Sequence, residues 1–292
     1  MPLRAPGRLA LALMLLLVPR LRAEEGMWPF DRIPADRIAA RYGMVLDQAW
    51  LDHLRLSTVV FGNSGTGCFV GRSGLVLTNQ HVAHASLLQL SRPGHDLVRS
   101  GFLARGQDQE LPVPGLAFRV LVAMRDVPAR VGLDPAQARQ AAEEALRAAE
   151  RTEAASLSWE LVDVDGGAEY RLYGYRTFQD VRLVMAPEFD IAAFGKDWDN
   201  FAYPRHDLDV ALFRVYEDGQ PFRPEHALAW SQKGIAAGEP TFVAGHPGRT
   251  NRQEPWARTD YRRRVENPLI VATLERTLAT LKAFAARGER EA

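Results

Sequence analysis

Seven short runs of β-branched and aromatic residues, each bounded by Gly, Asn or Pro, constrain this chain more than any other feature. They read "STVVF", "GCFVG", "GLVLTN", "AFRVLVAMR", "EYRLYGYRTFQDVRLVMA", "DVALFRVY" and "PTFVAG". Strand-length segments at that density suggest a sandwich or barrel. With 292 residues, 47% of them hydrophobic, the chain can bury a sizeable core in one or two domains. Its 36 acidic and 36 basic side chains cancel, so no global positive field exists to hold nucleic acid or an anionic membrane. The single cysteine, Cys68, rules out an intramolecular disulfide, and no Cys-x-x-Cys or His/Cys cluster suggests zinc. Between Gly67 and Phe69 it reads as a small buried strand residue. No metal or organic cofactor is expected.

Helical patterns flank and interrupt the strands. "PADRIAARYG" predicts a short helix with Pro34 near its start, Ile38 on one face and Gly43 just past its end. In "DQAWLDHLRLS", Asp47 is a candidate N-cap, and Trp50, Leu51 and Leu54 follow at helical spacing. An Ala/Glu/Arg-rich stretch over about 134–156, opened by Asp134 and Pro135, predicts a helical insertion and reads as a solvated connector. From Asn267 a further helix carries Leu274, Leu278 and Leu281 as an apolar stripe that needs a surface to pack on. The first 23 residues differ from the rest: Arg4 and Arg8 precede the apolar run "LALALMLLLV", which is too short to span a bilayer. A signal peptide over 1–23 is expected, and with it export to a bacterial periplasm or cell surface, since the chain lacks the disulfides of many secreted proteins.

Two pieces of "GNSGTGCFVGRSGLVLTNQHVA" look like parts of a serine hydrolase. In "GLVLTNQHV" an alternating apolar strand ends in a small polar turn that bears His81, a place suited to a general base on the lip of a barrel. Asp209, directly before the apolar alternation Val210, Ala211, Leu212, Phe213, is its candidate orienting carboxylate, with Asp207 two residues away as the rival. Ser64, in Gly62-Asn63-Ser64-Gly65, resembles a nucleophile turn. It precedes the histidine, whereas chymotrypsin-like chains run His, Asp, Ser. It also reads as the far end of the hairpin, about 15 Å or more from His81, and therefore as a turn residue.

These residues together resemble a known family, the bacterial dipeptidyl-peptidases of the seven and eleven type. The likeness rests on "EEGMWPFDRIP", "YGMVLDQAWLDHLRLSTVVF", "GTGCFVGRSGLVLTNQHVA", the long block around "DNFAYPRHDLDVALFRVY", and "GHPGRTNR", in that order from about residue 24 to 255. The resemblance implies a mainly β fold with helical insertions. Residues 24–258 would form a chymotrypsin-like first barrel plus the start of a second, and 259–292 the start of a helical domain. It implies His81 as general base, Asp209 as its orienter, Asn200 as the anchor for a substrate α-amino group, and Phe201 as a wall of the same pocket. The substrates implied are peptides with a free N-terminus, from which dipeptides are released. Gln80 and Val82 stand where many members have histidine and cysteine, Lys196 where glycine is common, and Cys68 where a serine occurs.

The family's nucleophilic serine lies beyond Ala292, so the expectation for these 292 residues alone is an inactive N-terminal portion. A homodimer is open on this reading, and no membrane contact is expected once the signal is removed. Two rivals stand beside it: an endopeptidase of the heat-shock type, which shares a Thr-Asn-x-His-Val motif, and a non-enzymatic barrel that binds peptides.

Overall fold

The computed structural model describes residues 27–62, 65–127, 134–153, 157–164, 169–193, 206–246 and 254–288. The expected signal segment, Ser64, Lys196, Asn200 and Phe201 lie outside those residues. Two compact units divide between Pro247 and Gly248.

The first unit opens with two helices that end as their sequences dictate. Helix α1 (Ala35–Tyr42) stops at Gly43, whose φ of 66° closes the last turn with an N–H to the Ala39 carbonyl. Helix α2 (Gln48–Ser57) starts at Asp47, whose carboxylate accepts from the Trp50 N–H at 2.8 Å. Strands β1 (Thr58–Phe61), β2 (Gly65–Phe69) and β3 (Leu75–Thr78) follow, with Gly74 at a φ of 70° in the turn before β3. Next come helix α3 (Gln80–Leu90), the single-turn α4 (Leu97–Ser100), and the short strands β4 (Phe102–Leu103) and β5 (Leu111–Pro112). Strand β6 (Phe118–Asp126) leads to helix α5 (Pro135–Glu153). Strands β7 (Ser158–Val164), β8 (Glu169–Phe178) and β9 (Asp180–Ala186) then precede the one-turn α6 (Phe189–Ala192). Strands β10 (Ala211–Glu217) and β11 (Gln220–Pro221) complete the set.

All pairings in this sheet are antiparallel, in the order β4-β9-β10-β3-β2-β1-β6-β8-β7, with β5 beside β9 and β11 beside β10. In a flat sheet β6 and β10 would be four strand spacings apart, about 19 Å. Instead the rings of Phe118 on β6 and Phe213 on β10 are 5.8 Å apart, and Phe61 on β1 lies 5.0 Å from Phe213. The sheet is therefore rolled on itself, and a 2.6 Å ion pair between Arg176 of β8 and Glu217 of β10 spans the same gap. Inside the roll Val59, Phe69, Val76, Leu87, Val181 and Leu183 are buried with those phenylalanines. The period-two alternation of β10 explains the split: Ala211, Phe213 and Val215 point in, Leu212 and Arg214 less so.

The structure corrects four sequence expectations. The histidine-bearing end of β3 is no simple turn, because His81 sits in the first turn of α3. "PTFVAG" is not a strand: Val243 is fully exposed, and among the described residues no ladder partner runs beside it. A lone extended segment has no place to spend its backbone hydrogen bonds. Strand β7 had no place among the seven runs, since "SWELVDV" mixes charges into its alternation. Helix α5 is more than a solvated connector, since Ala142 and Ala149 are buried and Ala145, Leu146 and Ala149 pack with Trp159 and Leu172. Its N-terminus does form as expected, with Asp134 accepting from the Ala136 and Gln137 N–H groups at 2.9 Å.

In the second unit, helix α7 (Trp256–Tyr261) runs through a π turn at Arg262–Glu266 into helix α8 (Asn267–Ala285). Arg262–Glu266 and Arg264–Asp260 ion pairs brace it, and Leu274, Leu278 and Leu281 are exposed. No helix among the described residues is long and apolar enough to cross a membrane.

Close packing makes Gly67 of β2 a sensitive point. A Cβ there would lie 2.8 Å from Val76 Cγ1 and 2.9 Å from the Leu77 carbonyl oxygen, so the β2–β3 pair would have to part. Gly67→Ala is expected to lower unfolding stability by about 1–3 kcal/mol in guanidinium titrations, as overpacked cores do.

Candidate active site

Register places the site. Strand β10 pairs with β3 so that Ala211 faces Thr78. Two more residues along each chain bring Asp209 to the start of α3, where His81 lies. The meeting expected from the sequence is present: His81 Nδ1 and Asp209 Oδ2 are 2.7 Å apart across 128 residues. Of the two candidate carboxylates, Asp209 is the one that meets His81 Nδ1.

The same carboxylate does more than face the ring. Its Oδ1 accepts from the backbone N–H of His81 at 3.0 Å, and its Oδ2 accepts from the Asn79 amide at 3.2 Å. That amide also donates to the Asp209 backbone carbonyl at 3.0 Å. Asp209 thus sits at the N-terminus of α3, where unpaired N–H groups and the helix dipole favour a negative charge. Exposure is divided unequally: the Asp209 side chain is 7% exposed and that of His81 64%. The carboxylate is shielded from water, while the imidazole opens outward with Nδ1 tied back and Nε2 without a hydrogen-bond partner among the described residues. A group so arranged can accept a proton at Nε2 and hold the resulting positive charge against the carboxylate.

The site continues into β2. Thr78 Oγ1 donates to the Thr66 carbonyl at 2.8 Å, and Thr66 Oγ1 accepts from the His246 N–H at 3.0 Å. Gly65 approaches Val82 so closely that a Cβ would lie 2.4 Å from Val82 Cγ1. The start of β2 therefore lies against the first turn of α3. Since β2 and β3 are antiparallel and joined at the other end, Gly65 and the start of α3 share one end of the hairpin. Ser64 itself lies outside the described residues, as do Asn200 and Phe201. Cys68, on the same strand, is half-buried, and burial pushes its thiol up, away from the reactive thiolate. Among the described residues no group of three His, Cys, Asp or Glu side chains could hold a metal ion.

The model of the family described as Peptidase S46 matches residues 23–292 of this chain. The chain belongs to the peptidase S46 family. Among its S46 relatives are dipeptidyl-peptidase 7 of Phocaeicola vulgatus, 31% identical over 277 residues, and the Asp/Glu-specific dipeptidyl-peptidase of Shewanella putrefaciens, 31% identical over 272. The chain is covered to 84% in both cases but spans only 38% and 37% of those proteins. Its structure is similar to that of Porphyromonas endodontalis DPP11 in complex with substrate, with a TM-score of 0.63 and 27% identity, covering 73% of this chain and 36% of that one. The rolled antiparallel sheet with its helices is accordingly a chymotrypsin-like fold.

His246 gives this region a pH dependence of its own. Burial, with the Arg119 guanidinium acting in the same sense and Glu160 against it, pushes the imidazole down to about 4. Its Nε2 is buried and has no hydrogen-bond partner among the described residues. The folded state therefore holds this ring neutral, while the unfolded chain protonates it near its ordinary value of about 6.5. Stability from this group is complete above that value and is lost as pH falls from 6.5 toward 4, on the order of 3 kcal/mol in all. Unfolding titrations across that window are expected to show the loss, and His246→Gln to flatten it.

Proposed function

We propose that this chain is the base-bearing portion of a serine dipeptidyl-peptidase that releases dipeptides from the N-termini of peptides. The observation that carries the reading is the 2.7 Å contact between His81 and Asp209 in a chain of the S46 family. His81 Nε2 takes the proton of a serine hydroxyl as the oxygen attacks the scissile carbonyl. The same nitrogen returns that proton to the leaving amine, and an acyl-enzyme remains. Water, deprotonated by His81 in turn, releases the dipeptide. Asp209 keeps the proton on Nδ1 and stabilises the imidazolium. The serine is, on this reading, supplied by the part of such proteins that this chain does not span.

Asn200 would accept a hydrogen bond from the substrate ammonium, with Asp197 or Asp199 backing it and Phe201 lining the pocket. A fixed amine anchor is what dipeptide release requires, since it sets the cleaved bond two residues in. Export to the periplasm or surface, implied by the basic and apolar first 23 residues, would bring the enzyme to extracellular peptides.

The test is hydrolysis of dipeptidyl fluorogenic substrates by the gene product in its longest in-frame form. Turnover of free but not acetylated N-termini is expected, with His81→Ala lowering the rate by about 10³-fold or more. Asn200→Ala is expected to raise KM for the same substrates. Internal cleavage of acetylated peptides would indicate an endopeptidase, and binding without turnover a peptide-binding barrel.

A further inference from the structure

Asn79 occupies the N-cap position of α3 with φ −85° and ψ 151°, the extended geometry a capping residue adopts. Asparagine is among the best side chains for that position, and its usual acceptor role is to take an N–H of the first turn. Here it makes no side-chain cap. The His81 N–H is instead taken by Asp209 Oδ1, a carboxylate arriving from the approach to β10. Asn79 has turned its amide the other way, donating both to the backbone carbonyl and to the carboxylate of Asp209. A cap residue has thus exchanged tasks with a residue 130 positions away.

We infer that Asn79 is a positioning residue that clamps Asp209, and through it the ring of His81. Two donated hydrogen bonds from one amide fix Asp209 at its main chain and at its side chain. The carboxylate cannot then rotate away from the imidazole without breaking the bond at Oδ2. Oδ1 is thereby presented to the helix N–H and Oδ2 to the ring. The structural half of this inference stands on the geometry alone. Its catalytic consequence rests on the proposed peptidase reading.

Clamp and cap can be told apart because Asp and Ser cap helices about as well as Asn but cannot donate as it does. An aspartate would bring a second carboxylate against Asp209, and a serine has one hydroxyl for two acceptors. The experiment measures solvent exchange of the His81 amide and ring Nδ1 protons by NMR, with the melting temperature, in the 292-residue chain carrying Asn79→Asp or Asn79→Ser. About tenfold or faster exchange at His81 in both variants, with protection elsewhere in the barrel kept and a lower melting temperature for Asn79→Asp, is the expected result. Unchanged exchange, with a melting temperature equal to or above that of the parent, would reduce Asn79 to an ordinary cap and overturn the inference. Should Asn79→Asp not fold, Asn79→Ser decides alone.

In the longest in-frame form, either variant is expected to lower kcat by about 100-fold with KM little changed, the cost of a catalytic group slightly out of place. If the parent shows no peptidase activity while exchange responds as expected, the functional reading fails and the clamp stands. If the parent is active and the variants match it in both kcat and exchange, the clamp fails and the functional reading stands.

Discussion

The carboxylate of Asp209 is the point on which the rest of this structure turns. It accepts from the first turn of α3, holds the His81 ring, and receives the Asn79 amide. The start of a helix and the orientation of an imidazole are thereby one problem with one solution. A negative charge buried this far from water is costly unless its acceptors are filled, and the helix N-terminus is well suited to fill them. The neighbouring imidazole gains its fixed direction as a by-product of the same satisfaction.

Strand pairing brings that carboxylate to its place. The β3–β10 ladder sets Asp209 opposite the β3–α3 junction, and a slip of one residue would turn its side chain to the other face. What forbids the slip is the interior: Phe213 must meet Phe61 and Phe118, and Val76 must lie against a strand whose Gly67 has no side chain to resist it. The site on the rim is therefore as exact as the core beneath it. The buried ring nitrogen of His246, without a hydrogen-bond partner among the described residues, marks the opposite case, a group whose protonation works against the fold.

The sequence made some of this legible because local chemistry and global fold agreed. Gly43, Asp47 and Asp134 each announce a helix end, and each performs that task. His81 and Asp209 were readable as a pair from an apolar alternation on one side and a polar strand end on the other. Their meeting needed no more than two strands in register. Other features depended on partners that no local pattern names. "PTFVAG" has the composition of a strand, but a strand is made by its neighbour. Helix α3 was hidden because "TNQHV" reads well as a turn, and the carboxylate that caps it comes from far along the chain. The same distance concealed Asn79, since only the contact with Asp209 shows where its amide is directed. The closeness of Gly65 to Val82 was not anticipated for a simpler reason. Antiparallel strands joined by one turn have their free ends together, so the start of β2 and the helix leaving β3 are neighbours.

The central claim is that the His81 ring is held with Nδ1 against Asp209 and Nε2 open. Nitrogen-15 NMR of histidine-labelled chain reads this directly, because the two tautomers of a neutral imidazole have distinct ring-nitrogen shifts. The account predicts that neutral His81 carries its proton on Nδ1, and that Asp209→Ala abolishes this preference. An Nε2-protonated ring, or a preference indifferent to Asp209, would contradict it.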